Sequence, residues 1–420
     1  MKKKPSFVNN KNHSKDILTI LILILAALII PGCTSSSIPT SIPTSIPTPF
    51  QPTQEQIPSS ELPQPEVPPI GATLTPVPTL GNTVNWREPE ASRSIVFALP
   101  ASTGGQDIYL LSPQAEPPLR LANITDELLR VAASPDGKYL AIHTSPHMGV
   151  YNDSLTLLSL SDYKLKPVVQ ESRITSWSWS TDGKRIAFSE SREAGRPVNI
   201  YILDVETGSM DLVYDGGGGW WDVQGWVMSD QMLLVSHLAG GGLLIDQALL
   251  IDVSSKEREI IYSDSNKLTG KFIPVAGGQV LVSQLEKMGD PKTKLLILDL
   301  NTGESTVLID PESPYSLIIN EPILSPDGRY AAFMSESSAE KGADTIVSIM
   351  LLDITTGETS VVFQGNYAVS RVLAWASDKV LIVSNLGEEM DQTLYSIHTD
   401  GSHSQKILTI SGGWFLTTIP

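Results

Sequence analysis

The sequence predicts an all-β fold, a propeller of about seven four-stranded blades, with six or eight blades as the alternatives. The first observation behind this is a polar turn of Ser, Pro or Thr, Asp and Gly, followed at once by a short apolar run. It occurs at Ser134–Thr144, Ser180–Ser189 and Ser325–Ser335. The Asp side chain can bond to its own turn backbone and Gly accepts a positive φ, so these residues favour a turn. A run this short is typical of a buried strand.

The second observation is the regular spacing of these turns. Looser copies precede the apolar runs MLLVS, VLVS and VLIVS, and successive copies are separated by 46 to 51 residues. Such a period, held over five steps, is typical of a repeat architecture. The aligned turn positions are Asp136, Asp182, Asp230, Gly278, Asp327 and Asp378.

A second ladder of strands runs out of phase with the first. Its copies include NIYILDV, KLLILDL and SIMLLDI, and several end in a turn of the form x-Thr-Gly. Together the ladders supply about four short strands per repeat, which is typical of a propeller blade. We therefore assign turn-forming structural roles to Asp136, Asp182 and Asp327 in the first ladder and to Asp204, Asp299 and Asp353 in the second.

The repeat resembles a known family. The pattern of Trp179–Phe188, WSTDGKRIAF, followed by Asn199–Asp204, NIYILD, resembles the WD-like repeats of TolB-type propellers. The resemblance covers roughly residues 94–420 and implies the fold, with very little about function. TolB-type propellers have six blades, whereas this sequence has seven, so the TolB partner and role are not carried over.

The N-terminal part has a different composition. Residues 1–32 read as a signal peptide, because five lysines precede the apolar run Ile17–Ile30, which is short for a membrane span. The run ends at Ile30-Pro31-Gly32-Cys33, which resembles a bacterial lipobox and implies lipidation of Cys33. An ordinary signal peptide or an uncleaved anchor with an incidental Cys is the alternative. Residues 33–84 contain the lipidated Cys and a disordered linker rich in Ser, Thr and Pro, and residues 85–420 form the propeller domain.

Charge argues against nucleic acid as a partner. The chain of 420 residues has a formal net charge of −17, and removal of residues 1–32 takes away five Lys and one Asp, which leaves −21. Such a surface repels phosphates. The lipid anchor would place a monomeric propeller on the extracytoplasmic face of a bacterial cell membrane.

The two chain ends are expected to share a blade. The first blade lacks its turn strand, and the C-terminal segment Trp414–Ile419, WFLTTI, is strand-like with no other place to pair. Pairing between them would remove an open sheet edge.

The most conspicuous candidate for ligand binding is 215–222, Asp-Gly-Gly-Gly-Gly-Trp-Trp-Asp. Neighbouring residues of a strand point to opposite faces, so Trp220 and Trp221 do not easily both belong to the core. They could form an aromatic platform for a sugar ring or a partner's apolar side chain. Alternatively, one fills a blade interface and the other covers it.

Histidines give a second, thinner set of candidates. His143 and His237 end equivalent strands, His147 lies in an adjacent loop, and His147 and His237 join the two tryptophans as candidate ligand-binding residues. A metal site needs three or four converging groups, so no metal, cofactor or catalytic residue is predicted. The sequence favours a non-catalytic module that binds an envelope protein or glycan as a scaffold. An extracytoplasmic carbohydrate-binding or lyase-like propeller is the alternative.

Overall fold

The computed structural model describes residues 86–420 apart from short internal gaps. Cys33, the linker and His147 lie outside the described residues, so the predictions made for them stay predictions. Contacts divide the chain into Met1–Pro69 and Ile70–Pro420, and everything described belongs to the second unit. The gaps are 103, 115–116, 147–151, 192–197, 217–218, 240–243, 264–267, 286–292, 311–316, 319–321, 338–345, 366–370 and 387–390.

Strand pairing groups the strands into seven antiparallel blades, which confirms the predicted propeller. In each blade the innermost strand is named first and the outermost last. Blade 1 contains β28 (Trp414–Ile419), β1 (Ser94–Pro100), β2 (Gln106–Leu111) and β3 (Leu119–Ile124). Blade 2 contains β4 (Glu127–Ala133), β5 (Tyr139–Ser145), β6 (Asp153–Ser159) and the first part of β7 (Leu165–Trp179).

The long strand β7 continues into the next blade, so blades 2 and 3 share one sheet. Blade 3 contains the second part of β7, β8 (Arg185–Ser191), β9 (Asn199–Asp204) and β10 (Met210–Tyr214). Blade 4 contains β11 (Trp221–Val227), β12 (Met232–Ala239), β13 (Leu244–Asp252) and β14 (Arg258–Ser263).

The remaining blades follow the same order. Blade 5 contains β15 (Leu268–Val275), β16 (Gln279–Leu285), β17 (Thr293–Asp299) and β18 (Ser305–Ile309), with a 3-10 turn at Ala276–Gly278. Blade 6 contains the short inner strands β19 (Leu317–Ile318) and β20 (Ile323–Leu324), then β21 (Tyr330–Ser337), β22 (Ile346–Asp353) and β23 (Thr359–Gly365). Blade 7 contains β24 (Arg371–Ser377), β25 (Val380–Leu386), β26 (Gln392–His398) and β27 (Ser404–Ile410).

The core consists of apolar layers between neighbouring blades. The described residues form seven clusters of buried side chains, and each cluster joins two adjacent blades. One of them joins blades 7 and 1 through Ile382 and Phe97. Seven blades with seven such layers form a closed ring, in which burial of apolar surface stabilises every blade boundary.

Closure of the ring uses both ends of the propeller domain. The C-terminal strand β28 pairs antiparallel with β1 and becomes the innermost strand of blade 1, as the sequence predicts. The Thr418 hydroxyl donates to the Trp375 carbonyl, 3.3 Å away in blade 7, and the Phe415 N–H donates to Gln392 Oε1 at 2.7 Å. The closing strand is therefore bonded on two sides.

The segment that leads into β1 packs onto the same junction. Trp86 is fully buried in the layer between blades 1 and 7, and the buried Glu88 carboxylate lies 3.2 Å from His398 Nε2. The N–H groups of Ser92 and Arg93 both donate to the Ala376 carbonyl at 2.9 Å.

Every outermost strand carries a β-bulge at an equivalent position. One residue on this strand has no partner on the third strand, and its side chain is turned towards the blade boundary instead of solvent. A bulge bends and twists an edge strand, which hinders pairing with another chain. The bulged residues are Leu121, Val168, Val213, Ile261, Leu308, Val362 and Ile407.

Tryptophans before the first-ladder turns connect successive blades. The indole Nε1–H of Trp226 donates to the Ser178 carbonyl of the preceding blade at 3.1 Å. Trp179 and Trp375 make the equivalent bonds to Ala132 and Ile323. Each of these rings is buried, so its polar atom requires this partner.

Candidate functional site

The propeller has two unlike ends. Because strands alternate in direction, the turns of both ladders lie at one end, which we call the turn face. The connections between second and third strands, and those between blades, lie at the other end, which we call the loop face. Loops carried on a rigid scaffold are where binding residues concentrate. The Gly-Trp segment connects β10 to β11 and therefore lies on the loop face.

The two adjacent tryptophans have different environments. The Trp221 side chain is 6% exposed and packs between blades 3 and 4, with its ring centroid 5.1 Å from that of Tyr214 and 5.1 Å from that of His237. Trp220 is 44% exposed. Trp220 is therefore the one of the two whose ring is open to solvent, and ligand binding by either tryptophan stays a prediction.

A cation lies against the exposed ring. The Arg173 guanidinium carbon is 4.7 Å from the Trp220 ring centroid, within the range of a cation–π contact. Arg173 belongs to blade 3 and Trp220 immediately precedes the inner strand of blade 4, so the pair joins two blades at the rim of the central channel. Sequence reasoning missed Arg173, because its partner is almost fifty residues away along the chain.

Two glycines of the run are required by close approach. A Cβ at Gly219 would lie 2.6 Å from His237 Nε2, and a Cβ at Gly216 would lie 1.9 Å from the Val198 carbonyl oxygen. Glycine at these positions lets the backbone pass close to the imidazole and to blade 3. Gly216 and Gly219 therefore lie against blade 3 and against His237.

His237 forms a pair with Asp246 on the loop face. Its Nδ1 is 2.7 Å from Asp246 Oδ1, and the two side chains are 28% and 34% exposed. A carboxylate at Nδ1 orients the ring and fixes the position of Nε2. The pair therefore places the edge of the His237 imidazole beside the exposed Trp220.

Blade 2 contains the equivalent pair in a buried form. His143 Nε2 is 3.5 Å from Asp153 Oδ2, and both side chains are only 8% exposed. Asp153 also accepts the Ile174 N–H of blade 3 at 3.1 Å. Burial tends to raise the pKa of this carboxyl, but hydrogen bonds from His143, Ser145 and Ile174 outweigh it and lower the pKa. The blade 2 pair joins blades, whereas the blade 4 pair is open to solvent.

Asp222 is a partly buried acid of the site. Burial raises the pKa of its carboxyl above the ordinary value, although hydrogen bonds from Thr175 and Ser176 and the charge of Lys271 oppose this shift. Thr175 donates to Asp222 Oδ1 at 2.9 Å. Thr175 is the extra residue of a bulge in the inner part of β7, and such a bulge re-aims a side chain.

The turn aspartates lie on the turn face, away from this site. Each accepts bonds from its own turn: the Ser134, Ser180 and Ser325 hydroxyls donate to Asp136, Asp182 and Asp327. Asp204, Asp299 and Asp353 accept backbone N–H groups two or three residues ahead.

Metal ligands and membrane spans are two further features that bear on function. The described residues contain no group of three or more His, Cys, Asp or Glu side chains placed to hold a metal ion. No helix within the described part of the chain is long and apolar enough to cross a membrane.

Comparison with known proteins extends the structural picture. No protein-family model matches the chain, and no curated protein matches its sequence. Solved structures do match. A prolyl endopeptidase structure is 11% identical over 78% of this chain and 51% of that chain, with a TM-score of 0.58, so the chain spans about half of its length. An oligogalacturonate lyase in complex with manganese is 14% identical over 73% of this chain and 85% of that chain, with a TM-score of 0.56.

TolB from Acinetobacter baumannii is also among the similar structures. It is 15% identical over 78% of this chain and 67% of that chain, with a TM-score of 0.45. At these identities the likeness concerns the fold alone.

Proposed function

We propose that this protein is a lipoprotein of the cell envelope whose propeller is a non-catalytic scaffold that binds a partner protein. Binding takes place on the loop face of blades 3 and 4. The observation that carries the proposal is Trp220, exposed and paired with the Arg173 guanidinium at 4.7 Å.

The chemistry of this patch suits a protein interface. Trp and Arg are the side chains most enriched among residues that dominate binding energy, and they act best when surrounded by groups that exclude water. Here the indole and guanidinium form the centre, and the half-exposed His237 and Asp246 supply hydrogen-bonding groups at the edge. The buried Trp221 behind them keeps the platform rigid, which lowers the entropy lost on binding.

The anchor part of the proposal rests on the sequence. Cys33 follows a signal-like apolar run, and the linker after it is too poor in apolar and charged groups to form a core. The described chain begins at Trp86, which packs where blade 7 meets blade 1 near the turn face.

Carbohydrate binding is the second candidate, and the same site favours it for a specific reason. A half-exposed indole beside a carboxylate and an imidazole offers both a stacking surface and polar contacts for a sugar ring. Only one face of the indole is open for stacking, because Arg173 covers the other.

The test is an affinity capture from host envelope extract with the full-length chain as bait, in three forms. These are the wild type, Trp220→Ala, and Trp414→Ala as the matched control, since Trp414 is a 37% exposed tryptophan at the same end of the ring in blade 1. We expect one protein to be enriched by the wild type and Trp414→Ala, and a loss of at least about tenfold with Trp220→Ala. In the same cells, Cys33→Ala should move the protein out of the membrane fraction.

Equal capture by all three baits would contradict the assignment of the site. Recovery of a polysaccharide in place of a protein, with quenching of tryptophan fluorescence by oligosaccharides that Trp220→Ala abolishes, would establish the second candidate.

A further inference from the structure

A cavity opens into the central channel on the turn face, at the opposite end from the tryptophan site. Its volume is about 360 Å³, and it is lined by blades 1, 2, 6 and 7. Cavities of this size are in the range that holds small ligands. Its walls include Arg93, Ile323, Leu373, Trp375, Thr417 and Pro420.

One side of the cavity is apolar. Ile323 of blade 6 and Leu373 and Trp375 of blade 7 form it. Leu373 is the extra residue of a bulge in β24, and it lines the cavity while packing against the apolar layer between blades 7 and 1. Trp375 is buried, with its indole N–H bonded to the Ile323 carbonyl at 2.9 Å, so the accessible carbon of this wall comes from Ile323 and Leu373.

The other side carries a positive charge. Arg93 is half-buried and is one of the lining residues of the cavity, and its backbone N–H donates to the Ala376 carbonyl. No ion pair of Arg93 occurs among the residues that the structure describes. Burial lowers the pKa of Arg93, and the charge of Asp378 opposes that shift. A partly desolvated guanidinium is stabilised by an anion that binds with two parallel hydrogen bonds.

We propose that this cavity binds a small organic carboxylate with an apolar body. The carboxylate pairs with the Arg93 guanidinium, which matches its planar geometry. The apolar body lies against Ile323 and Leu373 and displaces water from carbon surface. This site is independent of the proposed loop-face function, because it lies at the other end of the channel and shares no residue with it.

Calorimetric titration of the full-length protein tests the proposal with four probes. Hexanoate carries both features, 1-hexanol lacks the charge, and acetate lacks the apolar body. N-acetylleucine stands for the carboxylate end of a peptide, so it distinguishes a free acid from a chain terminus as the source. We expect saturable binding of hexanoate or N-acetylleucine with a Kd of about 1 mM or tighter, and at least tenfold weaker binding of hexanol and acetate.

Two variants and one control locate the site. Arg93→Gln should weaken binding of the charged probe by at least about tenfold. Arg120→Gln is the control, since Arg120 is an exposed arginine of the same blade, paired with Asp107 at 2.6 Å far from the cavity. Leu373→Trp fills the cavity while leaving the charge in place and should abolish binding on its own, which keeps the test decisive if Arg93→Gln does not fold.

The proposal is overturned if neither carboxylate binds saturably, if hexanol binds as tightly as hexanoate, or if a folded Arg93→Gln or Leu373→Trp variant binds like the wild type.

Discussion

Asp222 is an acid at a position where burial disfavours its ionised form. Its carboxyl is partly buried at a blade boundary on the loop face and accepts a hydrogen bond from the Thr175 hydroxyl. Burial raises its pKa, so the ionised form destabilises the folded state at pH values above that pKa, and the cost is relieved as the pH falls through it. An acid whose ionised form destabilises the fold, placed beside the exposed Trp220 ring, is typical of a functional position.

Asp222→Asn is therefore expected to stabilise the protein at neutral pH. The amide keeps an acceptor for Thr175, its new N–H can donate to the Ser176 hydroxyl, and the desolvated charge is removed. We expect the thermal midpoint to rise by about 2 °C at pH 7, and the difference to vanish below pH 3.8, the ordinary pKa, where both side chains are neutral. Scanning calorimetry from pH 3 to pH 8 measures this. Asp211→Asn, at an exposed ion pair with Lys256, is the control, and a midpoint that falls at pH 7 would refute the prediction.

Residue by residue, the candidate site was only partly predictable. Trp220, Trp221 and His237 stand out because aromatic and imidazole side chains beside glycines are conspicuous in any sequence. Nothing in a single sequence tells which of two adjacent tryptophans is buried. Arg173 and the bond between Thr175 and Asp222 were missed because the partners come from neighbouring blades, and the chain distance between blades hides such pairs.

At the scale of elements, the first-ladder turns do more than reverse the chain. The buried Asp230 carboxylate accepts three bonds from the turn of blade 3: the Thr181 N–H at 2.9 Å, the Thr181 hydroxyl at 2.8 Å and the Asp182 N–H at 3.2 Å. Asp378 makes a single such bond, from the Asp327 N–H at 3.0 Å. The ladder of turns is therefore also a set of bonds between blades.

The contrast gives a matched pair of substitutions. Asp230→Asn keeps the left-handed backbone that Asp230 adopts at φ 64°, but it replaces one of the two acceptor oxygens with a donor. We expect a loss of about 1–3 kcal/mol in the free energy of unfolding, because buried donors lose their partner, and less than about 1 kcal/mol for Asp378→Asn. Urea titration of both variants measures the losses, and equal losses would mean that the bonds between turns do not matter.

The strands and turns were largely predictable from the sequence, but the β-bulges within the strands were not. The strand ladders follow from turn residues and short apolar runs, which are local signals. No local sequence signal marks the bulges of the outermost strands. In Leu212-Val213-Tyr214, all three residues suit a strand, and only pairing with β9 shows that Val213 is the extra one.

At the scale of the whole molecule, stability depends on closing the ring. The strand β28 forms an inner edge of blade 1 and bonds to blade 7, so its loss would open the ring and expose two apolar layers. The repeat period predicted seven blades. The C-terminal strand had no partner within that repeat, and this predicted the closure.

Deletion of residues 413–420 is expected to lower the free energy of unfolding by more than about 5 kcal/mol, enough to unfold many domains. Circular dichroism in the near ultraviolet, followed on heating, measures this. Addition of a peptide of residues 412–420 should restore part of the loss, and a scrambled peptide should not. An unchanged melting temperature after deletion would refute the role of β28 in closure.

The docking of Trp86 next to β1 also determines how the molecule bears force. A pull on the chain ahead of Trp86 meets the ring at this buried ring system and then runs along the axis of β1, which is bonded on both sides, to β28 and to β2. Hydrogen bonds of a strand pair lie across the strands, so a pull along the axis strains them together instead of opening them one by one. The β1–β28 pairing that closes the ring is therefore loaded in shear, the direction in which its hydrogen bonds resist together.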